Sequence, residues 1–388
     1  MEQRAFSILG LSIFTSMIGI GLISPLLPIY AVKLGASGFL IGVIFSGFSI
    51  SRAIFLPIIG SASDRVGRKM FIALGLFIYS LVSLGYVIAE SGEALALVRF
   101  LQGFAAAMVV PISMAYVGDM AKRGKEGALM GRMNLFLFAG FGFGPLMGGV
   151  VAHLFGFRMD FYLMGGLSFF AFLLVLFFLP ELGYHKKVER SHLSYRKLLI
   201  HPTIQGVMAF RFTNSIARGI IASFLPIFAS RRAGVAEMGI GVLVAVNILL
   251  TSFLQDYFGR LCDRKSRKKL VFIGASLVSL ALFLLPLAHT FLTLFLVSVV
   301  FGVASAIALP AATAMMVEPG RKRGMGQSMS LFNLAMSLGL ASGPLIGGKL
   351  LDSYNISAPF LFAGVVSILG TWLFLKLVKR SVGISLGG

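Results

Sequence analysis

Residues Gly131 to Gly149 read G-R-M-N-L-F-L-F-A-G-F-G-F-G-P-L-M-G-G and carry no charge beyond Arg132. Gly140, Gly144 and Gly148 recur every fourth residue, so on a helix they share one face and leave a groove that admits another helix backbone. Pro145 removes a backbone donor and bends the helix there. In water each glycine would cost such a helix about 1 kcal/mol relative to alanine, so the pattern suits lipid, where close packing offsets the loss. The stretch is predicted to span a membrane.

The same wording returns at Gly339, Gly343, Pro344, Gly347 and Gly348, each 199 residues after Gly140, Gly144, Pro145, Gly148 and Gly149. That offset also relates Gly60 to Gly259, Asp64 to Asp263, Arg68 to Arg267, Gly103 to Gly302, Pro111 to Pro310, Asp119 to Glu318, Gly127 to Gly326 and Asn134 to Asn333. One register held over this length means two copies of one unit, in the same order and therefore parallel.

Composition agrees. Hydrophobic residues make up 57% of the 388 and charged ones 12%, so the apolar excess must face lipid. A net charge of +20 would suggest nucleic acid in a soluble chain. Here most Lys and Arg fall in loops on one side of the predicted spans. Lys33, Arg158, Arg231, Arg232 and Lys349 are the exceptions at the other side, and Arg52, Arg99, Arg211 and Arg218 lie within spans. This bias predicts a multi-pass cell-membrane protein with both termini in the cytoplasm, and no nucleic-acid partner.

Twelve apolar windows are long enough to cross a bilayer. They run over 8–30, 39–59, 71–89, 94–117, 134–154 and 161–179, then 204–228, 238–257, 270–287, 291–317, 329–351 and 360–377. The first contains Pro25 and Pro28 and is too long for a signal peptide. The expected organisation is a six-helix bundle over 1–180, a basic cytoplasmic linker over 181–203, and a second bundle with a short tail over 204–388. No metal site or cofactor is expected. His153 and His289 sit at span ends and Cys262 is the single cysteine, so no catalytic constellation shares one depth.

Gly60-Ser-Ala-Ser-Asp64-Arg65-Val-Gly67-Arg68-Lys69, between the second and third spans, resembles the loop signature of the major facilitator superfamily. Arg99-Phe-Leu-Gln102-Gly103 resembles a second signature. Gly131 to Gly149 resembles a third, found chiefly in twelve-helix drug:proton antiporters, whose first span is matched by Gly19, Gly21, Pro25, Leu27, Pro28 and Tyr30. The resemblance implies an all-α membrane fold, two six-helix bundles around a central cavity that opens alternately to either side, and efflux of small molecules. The first, fourth, seventh and tenth spans would line that cavity. It also implies that the glycine stretch seals the cavity when empty. Close packing of the fifth span against the eighth or eleventh is its expected physical role, with Gly131, Gly140, Gly144, Pro145 and Gly148, and Gly343 and Pro344 in the second copy, as its packing residues.

Two sets of charges follow. Asp64, Arg68 and Asp119 can form a cluster in which two carboxylates flank a guanidinium, with Asp263, Arg267 and Glu318 as its repeat. Such a cluster can latch one side of a transporter; the alternative is that it only fixes topology. Ser266 replaces Gly67 in the second copy, which predicts a looser loop there. Within the membrane, Arg52, Arg99, Arg211 and Arg218 would each cost about 2.5–3.5 kcal/mol at mid-depth. Arg211, Asn214 and Arg218 form one polar stripe on the seventh span. No predicted span holds a matching carboxylate, and Asp256 is the acidic residue nearest that depth.

These arginines are candidate substrate contacts in a cavity that favours anionic or zwitterionic ligands. The alternative is that they cap carbonyls or pair with Asp256. The antiporter group commonly has an acidic residue in the first or fourth span, and 8–30 has none. If protons are coupled, Asp64, Asp119, Asp256 or the substrate must carry them. The first reading is a secondary active transporter exporting amphipathic organic compounds, expected to act as a monomer among membrane lipids. Others are an organic-anion exchanger or uniporter, a lipid flippase, and a non-transporting sensor, although no soluble output domain is evident.

Overall fold

The computed structural model describes residues 2–120, 126–181, 199–323 and 325–385. Among them every regular element is helical, and twelve helices are long and apolar enough to cross a membrane. Each predicted window is found. Several helices run past their apolar windows, as in Gly38–Val66, Pro202–Ala233 and Phe291–Arg323, because the flanking polar residues continue the backbone ladder.

The first span is not one helix. Glu2–Ile23 and Leu27–Lys33 are separated at Ser24–Leu26, where Pro25 and Pro28 both remove donors. Pro57, Pro111, Pro145, Pro226 and Pro344 instead lie inside continuous helices.

The chain forms two compact units, Met1–Val188 with Ala236–Ala245, and Glu189–Val235 with Val246–Gly388. The opening turns of the eighth span, Glu237–Arg264, thus belong with the first unit and the remainder with the second. In the first unit the first span packs on the fifth (Glu126–Phe155) and sixth (Phe157–Phe178). The third span (Arg68–Ile88) packs on the fourth (Gly92–Met120) and sixth. The second unit repeats this: the seventh (Pro202–Ala233) packs on the eleventh (Met325–Ser353) and twelfth (Ala358–Ser385), and the ninth (Arg267–Leu284) on the tenth (Phe291–Arg323) and twelfth.

The glycine row is filled by the first span. Cβ atoms added at Gly140, Gly144 and Gly148 would run into the backbone of Phe14, of Ile18 and Gly21, and of Leu22. The expected eighth-span contact is made by residues off that row: Gly149 lies against Glu237 and Met238, and Gly241 against the Pro145 carbonyl. Gly131 faces open space and takes no part in close packing. In the second unit Gly339 and Gly343 meet the backbone of Phe212 and Ile216, Gly347 meets the Phe224 ring, and Pro344 lies on Gly219. Phe14 with Phe212, and Ile18 with Ile216, are one residue out of the 199 register.

Candidate functional site

The polar stripe of the seventh span lies within one continuous helix, and much of it is buried without partners. Asn214 is 2% exposed, yet neither its amide oxygen nor its amide nitrogen has a partner. Nε and Nη2 of Arg218 and Nε of Arg211 are likewise buried without one. Arg211 reaches the Met336 sulfur through Nη2 at 2.7 Å and lies 4.7 Å from the centre of the Phe332 ring. Asp256 is exposed and pairs with Arg260 one turn along its own helix, so it does not neutralise the stripe. Each buried donor or acceptor left unmet costs about 1–3 kcal/mol. A run of them suits a place that water or a ligand completes. Allowing for the one-residue slip, Asn214 occupies the position of Ser16 in the first unit, whose hydroxyl is also buried and unpartnered.

Arg99 sits differently. It is 6% exposed, donates from Nη1 to the Gln102 side chain at 2.6 Å, and lies within 5.2 Å of the ring centres of Phe45 and Phe48. Gln102 in turn accepts from the Tyr86 hydroxyl at 2.7 Å. Arg52, also on the second span, is half-buried. Arg99 therefore belongs to a buried aromatic and amide cluster inside the first unit, built from the second, third and fourth spans.

The first charge cluster is formed. Arg68 donates from Nη2 to Asp64 at 2.6 Å, from Nε to Asp119 at 3.0 Å, and from Nη1 to Ser63 at 2.9 Å. Gly67 has φ +120°, and a Cβ there would strike the Glu181 carboxylate, which accepts from the Lys69 backbone N–H at 3.4 Å. Tyr116 donates to the Pro180 carbonyl at 2.7 Å, tying the ends of the fourth and sixth spans together. Glu181, absent from the candidates, thus caps the third span from the sixth. In the second unit Ser266 has φ −61° and makes no side-chain cap, so the loop takes another path. Arg267 donates to the Ala314 carbonyl at 3.3 Å, while the side chains of Asp263 and Glu318 lie outside the described residues. With Arg68 18% and Asp119 30% exposed, a double-mutant cycle of Arg68→Gln and Asp119→Asn should give a coupling of about 0.5–1 kcal/mol in unfolding experiments. Additive effects would mean that the pair contributes nothing.

One acidic residue was misplaced by the sequence windows. Asp160 precedes the sixth apolar window by one residue, but Gly156 (φ +84°) starts a helix at Phe157, and Asp160 lies inside it with 1% exposure. The glycine was the available signal. Two open clefts among the described residues lie elsewhere: one of about 550 Å³ between the third and sixth spans, and one of about 450 Å³ between the ninth and twelfth. Both are lined mainly by apolar side chains, and neither includes a stripe residue.

The profile of the Major Facilitator Superfamily matches residues 9–210 and 207–385. Multidrug resistance protein 2 of Bacillus subtilis is 30% identical over 384 residues, covering 96% of this chain and 95% of the relative. The quinolone resistance protein NorA of Staphylococcus aureus is 27% identical over 386 residues, covering 97% and 96%. The solved structure of a bacterial homolog of the human lysosomal transporter Spinster superposes with a TM-score of 0.83 at 15% identity, covering 98% of both chains. With its duplicated unit, twelve spans and signature loop, the chain belongs to the major facilitator superfamily of membrane transporters.

Proposed function

We propose that this transporter exports small amphipathic organic compounds in exchange for protons, and that the Arg211–Asn214–Arg218 stripe binds those bearing a carboxylate. The observation that carries the reading is the stripe itself, buried, cationic and short of partners. A guanidinium fork matches a carboxylate, and an amide with both ends free can accept and donate beside it. The relatives named for multidrug and quinolone resistance support the substrate class, since a quinolone carries a carboxylate on a flat apolar ring system. The loop charges support an orientation with both termini in the cytoplasm. In that orientation the Asp64–Arg68–Asp119 cluster is a cytoplasmic latch.

Reconstituted protein should move norfloxacin, a quinolone, against its gradient when a pH difference is imposed, after subtraction of protein-free liposomes. Norfloxacin exchange that ignores the pH difference would instead favour an organic-anion exchanger, a reading supported by the lack of any acid over residues 8–30 of the first span. No norfloxacin movement at all would defeat both.

A further inference from the structure

Among the described residues Asp160 is the carboxylate that is buried, and neither of its oxygens has a hydrogen-bond partner. It stands in the first turn of the sixth span, between Phe157 and Phe161 in the chain. Those rings lie 5.9 and 5.2 Å from the Tyr30 ring, and Tyr86 stacks on Phe161 at 5.2 Å. Ser83 donates to the Phe161 carbonyl rather than to the acid. A carboxylate closed off in this way gives up its hydration for nothing, whereas the neutral acid loses far less.

The elements packed on the sixth span bring other titratable groups, most of them engaged elsewhere. From the first span, Tyr30 donates to the Ala89 carbonyl at 3.4 Å, and Lys33 is 4.0 Å from Glu237 and 4.2 Å from the centre of the Phe157 ring. From the third, Tyr86 is held by Gln102, and Tyr79 is buried two turns before it on the helix. From the fifth, His153 is 3.9 Å from Glu237. Arg158, on the same helix, is exposed. No neighbour is positioned to hold the charged form of Asp160, so its protonation follows access of water.

We propose that Asp160 is the proton-binding residue of the transport cycle, neutral while this end of the first unit is sealed and ionised when water reaches it. On loading, a hydronium ion gives its proton to one carboxylate oxygen, forming an O–H bond and leaving water. On release that bond breaks, the electron pair stays on oxygen, and the proton returns to water. The proposal rests on the proton-coupled reading above.

The test compares wild type and Asp160→Asn, whose amide mimics the neutral acid, in proteoliposomes with norfloxacin. Expected is loss of accumulation driven by the pH gradient, down to the level without a gradient, while norfloxacin counterflow, which needs no net proton movement, persists. Gradient-driven accumulation by Asp160→Asn equal to wild type overturns the assignment and leaves proton coupling standing. A wild type that ignores the gradient overturns both. Should the variant not fold, infrared spectra of wild type labelled with carbon-13 aspartate decide: a protonated-aspartate carbonyl band that disappears on alkalinisation supports the assignment, and its absence overturns it.

Discussion

Gly144→Leu is expected to abolish accumulation of folded protein, while Gly131→Leu, thirteen positions earlier in the same helix, changes little. At Gly144 the first added carbon would meet the Gly21 backbone and the Ile18 carbonyl, neither of which can rotate away as a side chain could. The fifth span would have to move off the first. Overpacking by a single residue typically costs about 1–3 kcal/mol where side chains can yield, and a backbone-to-backbone clash lies beyond that range. Loss on this scale exceeds what many marginally stable chains withstand. Gly131 has nothing near it, so a leucine there meets open space and should shift stability by no more than about 0.5 kcal/mol. Gly343→Leu, against Ile216 in the second unit, should behave as Gly144→Leu does. Size-exclusion profiles and thermal unfolding of detergent-purified variants read all three. Normal yield and melting for Gly144→Leu would mean that the close approach of the two spans is dispensable.

Arg218→Ala is expected to weaken norfloxacin binding by about 2 kcal/mol or more, a factor of roughly 30, because it removes a buried charged partner of the ligand carboxylate. Arg218→Lys retains the charge without the planar fork and should fall between the two. Ethidium, a cation without a carboxylate, serves as the contrast, and its affinity should hold or improve. Removing an unpaired buried cation relieves desolvation, so melting temperature should not fall. Binding titrations on purified protein, with thermal unfolding alongside, separate these outcomes. Unchanged norfloxacin affinity, or collapse of the fold, would make Arg218 a structural cap.

Much of this architecture was written where sequence signals are strong. Apolar length gave twelve spans because lipid leaves little choice for a backbone but a continuous helix. The 199-residue offset exposed the duplication because the loops and glycine rows of both copies kept their spacing. The likeness of the first and seventh spans stayed hidden, since they are displaced by one residue, and only the backbone approaches of Ile18 and Ile216 to equivalent glycines align them. Apolar windows also hid Asp160, because hydropathy locates the apolar centre of a helix and not its first turn. The surroundings of Arg99 were equally out of reach: Phe45, Phe48 and Gln102 meet it through packing of the second and fourth spans.

The break at Ser24–Leu26 makes the two halves of the duplication mechanically unequal. A continuous helix such as Pro202–Ala233 moves as a rod, and any tilt at one end is carried to the other. The seven residues Leu27–Lys33 are joined to Glu2–Ile23 by a thinner ladder: Pro25 and Pro28 supply no donors, and Leu26 bridges the gap, donating to the Ile23 carbonyl at 3.1 Å and accepting from the Tyr30 N–H at 2.9 Å. This short cylinder carries Tyr30 and Lys33 against Phe157 and Phe161, the chain neighbours of Asp160. These two helical turns, set off by a proline-rich joint, are thus what stands between the start of the sixth span and the rest of the first. The seventh span is unbroken through Pro226, so it carries no counterpart of this joint in the second unit.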